Sequence, residues 1–303
     1  MQIADRIEQA LAQAIASAQG QLSTVAQTGH SLYGAGAPPL LASALHYAVF
    51  PGGHRIRPQL CLAVALACGD QDPEAANAAA ASIELLHCAS LVHDDLPCFD
   101  DADLRRGKAS VHVQFGEPLA VLTGDALIVQ AFTILAQGTA QSPHRLAPLL
   151  SLIAQSVGSP NGIVAGQAWE CEAAVSLSDY QRAKTGALFV AATAAGALAS
   201  GYEPDPWRNL GAKLGEAYQV ADDLRDILCN AEELGKPIGQ DEARRRPNAA
   251  AQLGVGGAKA RLEELVKDAV ESIPNCPGQQ ELRKLIKAQT SQFLPKNMAL
   301  VAA

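Results

Sequence analysis

Aromatic side chains are scarce in this sequence. Six Phe, five Tyr and two Trp make up only 4% of 303 residues, although 49% of the chain is hydrophobic. Apolar area therefore comes from Ala, Leu, Val and Ile, and the aromatic enrichment expected of sheets is missing. No stretch alternates convincingly at the strand period, so an all-β fold is excluded and all-α is expected. Basic residues are also in deficit, with 23 Lys and Arg against 31 Asp and Glu and a net charge of -8. That balance excludes a general affinity for nucleic acid or an anionic membrane surface, which needs a cationic excess to displace counterions. Any polyanion must be met by local cations. CxxC spacing is absent among the seven cysteines (61, 68, 88, 98, 171, 229, 276), which are odd in number and sit mostly in apolar stretches. They read as reduced, buried thiols of a cytoplasmic protein, with neither a disulfide framework nor a zinc site.

Other absences bound the organisation. Asp5, Arg6 and Glu8 interrupt the first 23 residues, which no secretory signal would tolerate. Residues 185–202 carry no charge, but Ala and Gly dominate there, so a buried core helix is expected and no transmembrane span. Linkers, low-complexity tracts and repeats are missing, and one domain over 1–303 is expected.

Helical periodicity is abundant. Apolar residues recur at helix spacing through 3–18, 40–49, 58–67, 74–95, 118–136, 145–157, 178–200, 208–229 and 257–272, with Gly and Pro breaks between them. Two of these helices end in carboxylates. The first run holds Asp94, Asp95, Asp100, Asp101 and Asp103 and continues into Arg105-Arg106-Gly107. Carboxylates so close repel one another unless neutralised, and hard oxygen donors suit Mg²⁺ or Ca²⁺; a solvated acidic helix end is the plainer alternative. The second run, Asp222-Asp223-Leu224-Arg225-Asp226, places Asp222 and Asp226 on one helix face behind a buried apolar stretch. Two such ends facing each other would form a polynuclear metal site with positions open for substrate phosphates. The glycine turn at 51–53, leading into Arg55 and Arg57, and the pair Arg105-Arg106 add cations suited to phosphate oxygens.

The order of these motifs resembles the trans-prenyl diphosphate synthases. The chain shows GGxRxRP at 52–58, DDxxxxD at 94–100 with Arg105-Arg106-Gly107, Gly166-Gln167, Lys184-Thr185-Gly186 and DDxxD at 222–226. The resemblance implies a bundle of long antiparallel helices around a central cavity, usually a homodimer. It implies about three Mg²⁺ ions shared with the substrate diphosphate. Asp94, Asp100 and Asp222 would be direct ligands, supported by Asp95, Asp223 and Asp226. Arg105, Lys184, Thr185, Gln219 and Lys236 would hold the allylic diphosphate; Arg57, His87 and Arg106 would hold isopentenyl diphosphate; Gln167 would line the cavity.

Departures from the pattern are informative. His54 stands where the family usually has lysine, so isopentenyl diphosphate binding there would depend on pH. Beyond Lys236 a second phosphate-binding cation is expected, and Arg246 is the best of Arg244, Arg245 and Arg246. Glu170 and Glu172 follow Gln167, where aspartates are more familiar, and the tail 292–303 lacks the usual basic ending. Ala89, five residues before Asp94, occupies the position that often limits chain growth; Ser90 beside it is also small, and Leu86 would form the next stop. With the two-residue insertion Cys98-Phe99, this pattern looks most like the bacterial geranylgeranyl synthases, which make a C20 product. The competing readings are a farnesyl synthase, a cyclising terpene synthase and a non-catalytic partner subunit. The second acid motif and the GGxRxRP turn oppose the cyclase; the intact acid motifs oppose the partner subunit.

Overall fold

The computed structural model describes residues 2–20, 36–172, 177–228 and 249–291. Lys236, Arg244, Arg245, Arg246, Cys229 and the tail 292–303 lie outside them. Helices dominate: α1 (Ile3–Ala18), α2 (Pro39–Val49), α3 (Ile56–Ala67), α4 (Pro73–Asp94), α5 (Val111–Phe115), α6 (Glu117–Gly138), α7 (Leu146–Val157), α8 (Ile163–Ala168), α9 (Leu177–Gln181), α10 (Ala187–Ala199), α11 (Asp205–Leu228), α12 (Ala249–Glu271) and α13 (Gln279–Ser291). Among the described residues, the only strand pair is a hairpin of two-residue strands, β1 (Leu104–Arg105) and β2 (Lys108–Ala109).

Local chemistry sets the helix starts. The Asp72 side chain caps α4 by accepting from Ala75 N at 3.1 Å, and Pro73 occupies the first helical position, where a missing N–H costs nothing. α4 and α10 bury residues around most of their circumference, as central helices must. Runs of alanine let neighbours approach closely: α3, α6 and α10 pack on α4, and α11 packs on α10 with α12 outside it. Leu11, Leu60, Leu85, Leu127, Phe189, Trp207 and Ile286, from α1 to α13, belong to one buried cluster.

Three expectations change. The helix expected over 178–200 is interrupted: Arg182–Gly186 forms a π turn between α9 and α10. A π turn inserts one extra residue into the helical ladder and re-aims the side chains on it, here Lys184 and Thr185. α10 itself is buried, as the charge-free run 185–202 suggested. Among the described residues, the two helices long and apolar enough to span a bilayer are instead α4 and α6; the core consumes most of α4, while α6 leaves Val121, Leu122 and Val129 exposed. The cysteines also divide: Cys61, Cys68 and Cys88 are buried, Cys276 is half-buried, and Cys98 and Cys171 are exposed, contrary to the expectation of mostly buried thiols.

Candidate active site

The acid clusters occupy the last turns of two helices. α4 ends at Asp94 with Asp95 as its cap, and Asp222, Asp223 and Asp226 lie near the end of α11. Unpaired carbonyls make a helix C-terminus negative, so carboxylates placed there call for a compensating cation. The loop after α4 folds back. Asp100 N donates to Asp94 O at 2.9 Å, Asp101 N donates to Leu96 O at 3.1 Å, and Asp101 adopts φ +49°. That closure carries the Cys98-Phe99 insertion and returns Asp100 to the end of the helix. Asp95 turns the other way, is 2% exposed, and accepts from Arg105 Nε at 2.9 and 3.2 Å with an additional bond from Nη2. Burial opposes the charge on Arg105. The Asp95 bonds, with the fields of Asp95, Asp94 and Asp222, outweigh it and raise the guanidinium above its ordinary value. The fields of both acid helix ends therefore meet at one guanidinium, in the space between them.

Lys184, on the π turn, reaches that space. Its Nζ donates to Glu170 at 2.5 Å and lies 3.4 Å from Asp94 Oδ1, and Tyr180 donates to the same Glu170 oxygen at 2.5 Å. Thr185 donates to Gln219 at 3.1 Å, and Gln219 donates to Asp223 at 3.0 Å, tying the Lys-Thr pair to the second acid motif. The Gly166-Gln167 motif has a steric reason: a Cβ at Gly166 would meet the Lys184 backbone N at 2.5 Å, so only glycine lets α8 set Gln167 against the π turn. Gln167 Nε2 is buried with no hydrogen-bond partner among the described residues. Such an amide favours a ligand acceptor.

A cationic cluster flanks the acids. Arg57 is buried, with its guanidinium carbon 4.8 Å from the Phe189 ring centre and 5.8 Å from that of Tyr218. Its Nη1 lies 3.3 Å from His87 Nε2; arginine can only donate, so Nε2 accepts and the imidazole proton sits on Nδ1. Burial, then Arg57, Arg106, Arg105 and Arg55, push the His87 pKa well below its ordinary value, in accord with a neutral ring. Both glycines of the turn make room for arginine. A Cβ on Gly52 would meet the Arg55 guanidinium at 2.1 Å, and one on Gly53 would meet Arg106 at 3.0 Å. Lys108 Nζ donates to Phe50 O at 2.9 Å, while Arg55 Nη2 donates to Val49 O at 2.8 Å, so cations cap the end of α2 and fix the turn.

Between the clusters opens a cavity of about 540 Å³. Arg57, His87, Asp94, Gln167, Lys184 and Thr185 line it beside the apolar side chains of Leu86, Ala89, Ile128, Val157, Ile163 and Leu188. Leu86, Ala89, Ser90 and His93 form one stripe of α4 toward this cavity, at helical spacing. Of the residues expected at the site, Arg57, Leu86, His87, Ala89, Ser90, Asp94, Gln167, Lys184 and Thr185 share this lining. His54 is exposed and does not line it; Arg105 and Arg106 border an adjoining small crevice with Cys88, Leu91 and Asp95. Sequence reading missed Glu84 and the cavity walls on α6, α7 and α8, and took Arg55 for a phosphate cation where folding commits it to Glu84 and Val49 O. It noted Glu170 without seeing its contact with Lys184.

No three His, Cys, Asp or Glu side chains among the described residues converge closely enough to hold an ion unaided. The donors are carboxylate oxygens, which fit a hard cation that draws further oxygens from a ligand.

A helical bundle with acids and cations around the mouth of an apolar cavity is the arrangement of the isoprenoid synthases. Solved structures agree. The geranyltransferase of Helicobacter pylori, complexed with magnesium and isoprenyl diphosphate, matches with a TM-score of 0.76 at 28% identity, covering 96% of each chain. The polyprenyl synthetase family pattern matches residues 38–287. A geranylgeranyl diphosphate synthase of Cereibacter sphaeroides is 54% identical over 299 residues, 99% of each chain. A farnesyl diphosphate synthase of Geobacillus stearothermophilus is 38% identical over 252 residues, covering 78% of this chain and 83% of the relative. The chain belongs to the polyprenyl synthetase family and is a trans-prenyltransferase.

Proposed function

We propose that this chain condenses isopentenyl diphosphate with an allylic diphosphate (dimethylallyl, geranyl or farnesyl) and releases geranylgeranyl diphosphate. The cavity carries this reading: along α4 it runs from Asp94 past the small Ala89 and Ser90 to Leu86. Ala89 lies roughly 7.5 Å and Leu86 roughly 12 Å along the helix axis from Asp94, depth that an aromatic side chain at Ala89 would remove. The 54% identical relative is itself a geranylgeranyl diphosphate synthase, which supports the C20 product over C15.

Lys184, Thr185, Gln219 and Arg105 hold the allylic diphosphate, with Lys236 and Arg246 added from outside the described residues. Arg57, Arg106 and His87 hold isopentenyl diphosphate, with His54 exposed on the glycine turn at the entrance. The neutral His87 contributes an Nδ1–H donor rather than a charge. Mg²⁺, about three ions shared with the substrate, fits Asp94, Asp100 and Asp222, supported by Asp95, Asp223 and Asp226, and when bound stabilises the charge of the departing diphosphate. The allylic C–O bond breaks, the isopentenyl double bond forms the new C–C bond, and the proton it loses passes to the diphosphate. Ile128, Val157, Ile163 and Leu188 exclude water that would otherwise capture the carbocation.

The assembly we propose is a homodimer of single-domain chains that covers the exposed side of α6, where Val121, Leu122 and Val129 are 41%, 52% and 66% exposed. A reducing cytoplasmic setting fits the six described cysteines, all free thiols.

Incubation with isopentenyl and farnesyl diphosphates plus Mg²⁺, followed by dephosphorylation and chromatography, is expected to give the C20 alcohol. Products stopping at C15 from dimethylallyl diphosphate would overturn the chain-length reading. No turnover with any allylic substrate would favour the partner-subunit alternative.

A further inference from the structure

Glu84 is a carboxylate in the wrong place for a core helix. It sits on α4 ten residues before Asp94 and is 1% exposed. An ionised group so buried must be paired, and its partners are arginines. Oε1 accepts from Arg55 Nη1 at 2.8 Å and lies 3.9 Å from Arg106 Nη2. These arginines come from the two motifs that flank the proposed isopentenyl diphosphate site, the glycine turn and the β1–β2 hairpin. Both are held in left-handed backbone conformations, φ +50° at Arg55 and +55° at Arg106, and each lies over one glycine of the Gly52-Gly53 pair.

The two arginines differ in what remains available. Arg55 is fully committed, since Nε donates to Glu8 at 3.0 Å and Nη2 to Val49 O at 2.8 Å. Arg106 meets Glu84 beyond hydrogen-bond distance and engages the Cys88 thiol beside it, so that carboxylate does not use up its N–H groups. Arg57 presents a buried Nε with no hydrogen-bond partner. Arg57 lies 3.3 Å from His87, one turn along α4 from Glu84, and the charges of Arg106, Arg105 and Arg55 also act on that ring. Asp95 neutralises Arg105, which leaves Glu84 as the fully buried anion among the other three.

We propose that Glu84 is a positioning residue for isopentenyl diphosphate: its buried carboxylate clamps Arg55 and restrains Arg106, so that Arg106 and Arg57 point at one diphosphate instead of repelling each other apart. This rests on the assignment of Arg57, Arg106 and His87 to isopentenyl diphosphate. Glu84 itself never touches the ligand. It acts through the turn that Arg55 anchors and through the guanidinium of Arg106.

The test is steady-state kinetics with each substrate varied separately for Glu84→Gln, Glu84→Asp and Arg57→Gln. Glu84→Gln is expected to raise the isopentenyl diphosphate KM by about 30-fold and to leave the allylic KM within about twofold, with Glu84→Asp recovering part of the loss. An isopentenyl diphosphate KM within about twofold of wild type, or an equal rise in both KM values, overturns the proposal. If Arg57→Gln leaves that KM unchanged, the underlying site assignment fails instead, and the proposal falls with it. Should Glu84→Gln not fold, Glu8→Gln removes only the half-exposed partner of Arg55. A rise of about threefold confined to isopentenyl diphosphate then supports the proposal, and no rise overturns it.

Discussion

Two carboxylates on α4 show opposite ways of keeping a charge. At Glu84 the chain supplies its own counter-ions, and the anion is buried among Arg55 and Arg106. At Asp94 the acid lies on a negative helix end, with Lys184 3.4 Å away and itself shared with Glu170. The middle of the helix is complete in the protein alone; its C-terminal end is complementary to something it must take up. Both lie on a single rigid element, so α4 fixes the distance between the cationic pocket and the acid face. That matters for a reaction whose two diphosphates must be held apart while two carbon atoms are brought together.

Asp94→Asn breaks the comparison most severely. It keeps the shape and removes the charge that attracts a hard cation, and we expect kcat/KM to fall about 10³-fold. Extra Mg²⁺ should recover little of it; a loss under about tenfold would remove Asp94 from the charge-stabilising face. Ala89→Tyr, placed between the two charged levels, touches neither. It should shorten the product from C20 to C15 while turnover of dimethylallyl diphosphate stays within about tenfold, and an unchanged product would mean that Ala89 does not meet the growing chain. The smallest effect is at His87. Its pKa in the folded protein lies below the unfolded value of about 6.5, so below that pH the unfolded chain binds more protons and stability declines. Between pH 7.5 and 5.5 the melting temperature of wild type should drop roughly 2 °C further than that of His87→Gln. Parallel curves would show that His87 is not held neutral by its arginines.

The motifs were legible because each is short and its chemistry is local: carboxylates at the ends of apolar helices and arginines beside glycines. Which arginine binds which partner was not legible. Arg55 and Arg105 look as available as Arg57 and Arg106 until folding places Glu84 and Asp95 against them. The π turn was hidden because Arg182–Gly186 runs directly into the uninterrupted apolar run of α10. α13 was missed for a different reason: Gln279–Ser291 has only Leu282, Leu285 and Ile286 as large apolar residues, too few to show a stripe without the α3 surface they cover. The cavity walls Ile128, Val157 and Ile163 come from three separate helices, and no local pattern marks residues that meet only through tertiary packing.

The cavity floor has a bearing on how such enzymes diverge. Leu86, Ala89, Ile128, Val157 and Ile163 have no polar side-chain atom, so none belongs to the ionic network proposed to hold the diphosphates. Single substitutions among them can lengthen or shorten the product while leaving that network intact, whereas a change at Glu84, Arg55 or Gly53 disturbs several partners at once. Natural variation within this scaffold should accordingly be free at the bottom of the cavity and frozen at its mouth, allowing one ancestral catalyst to give rise to descendants that differ mainly in where they stop.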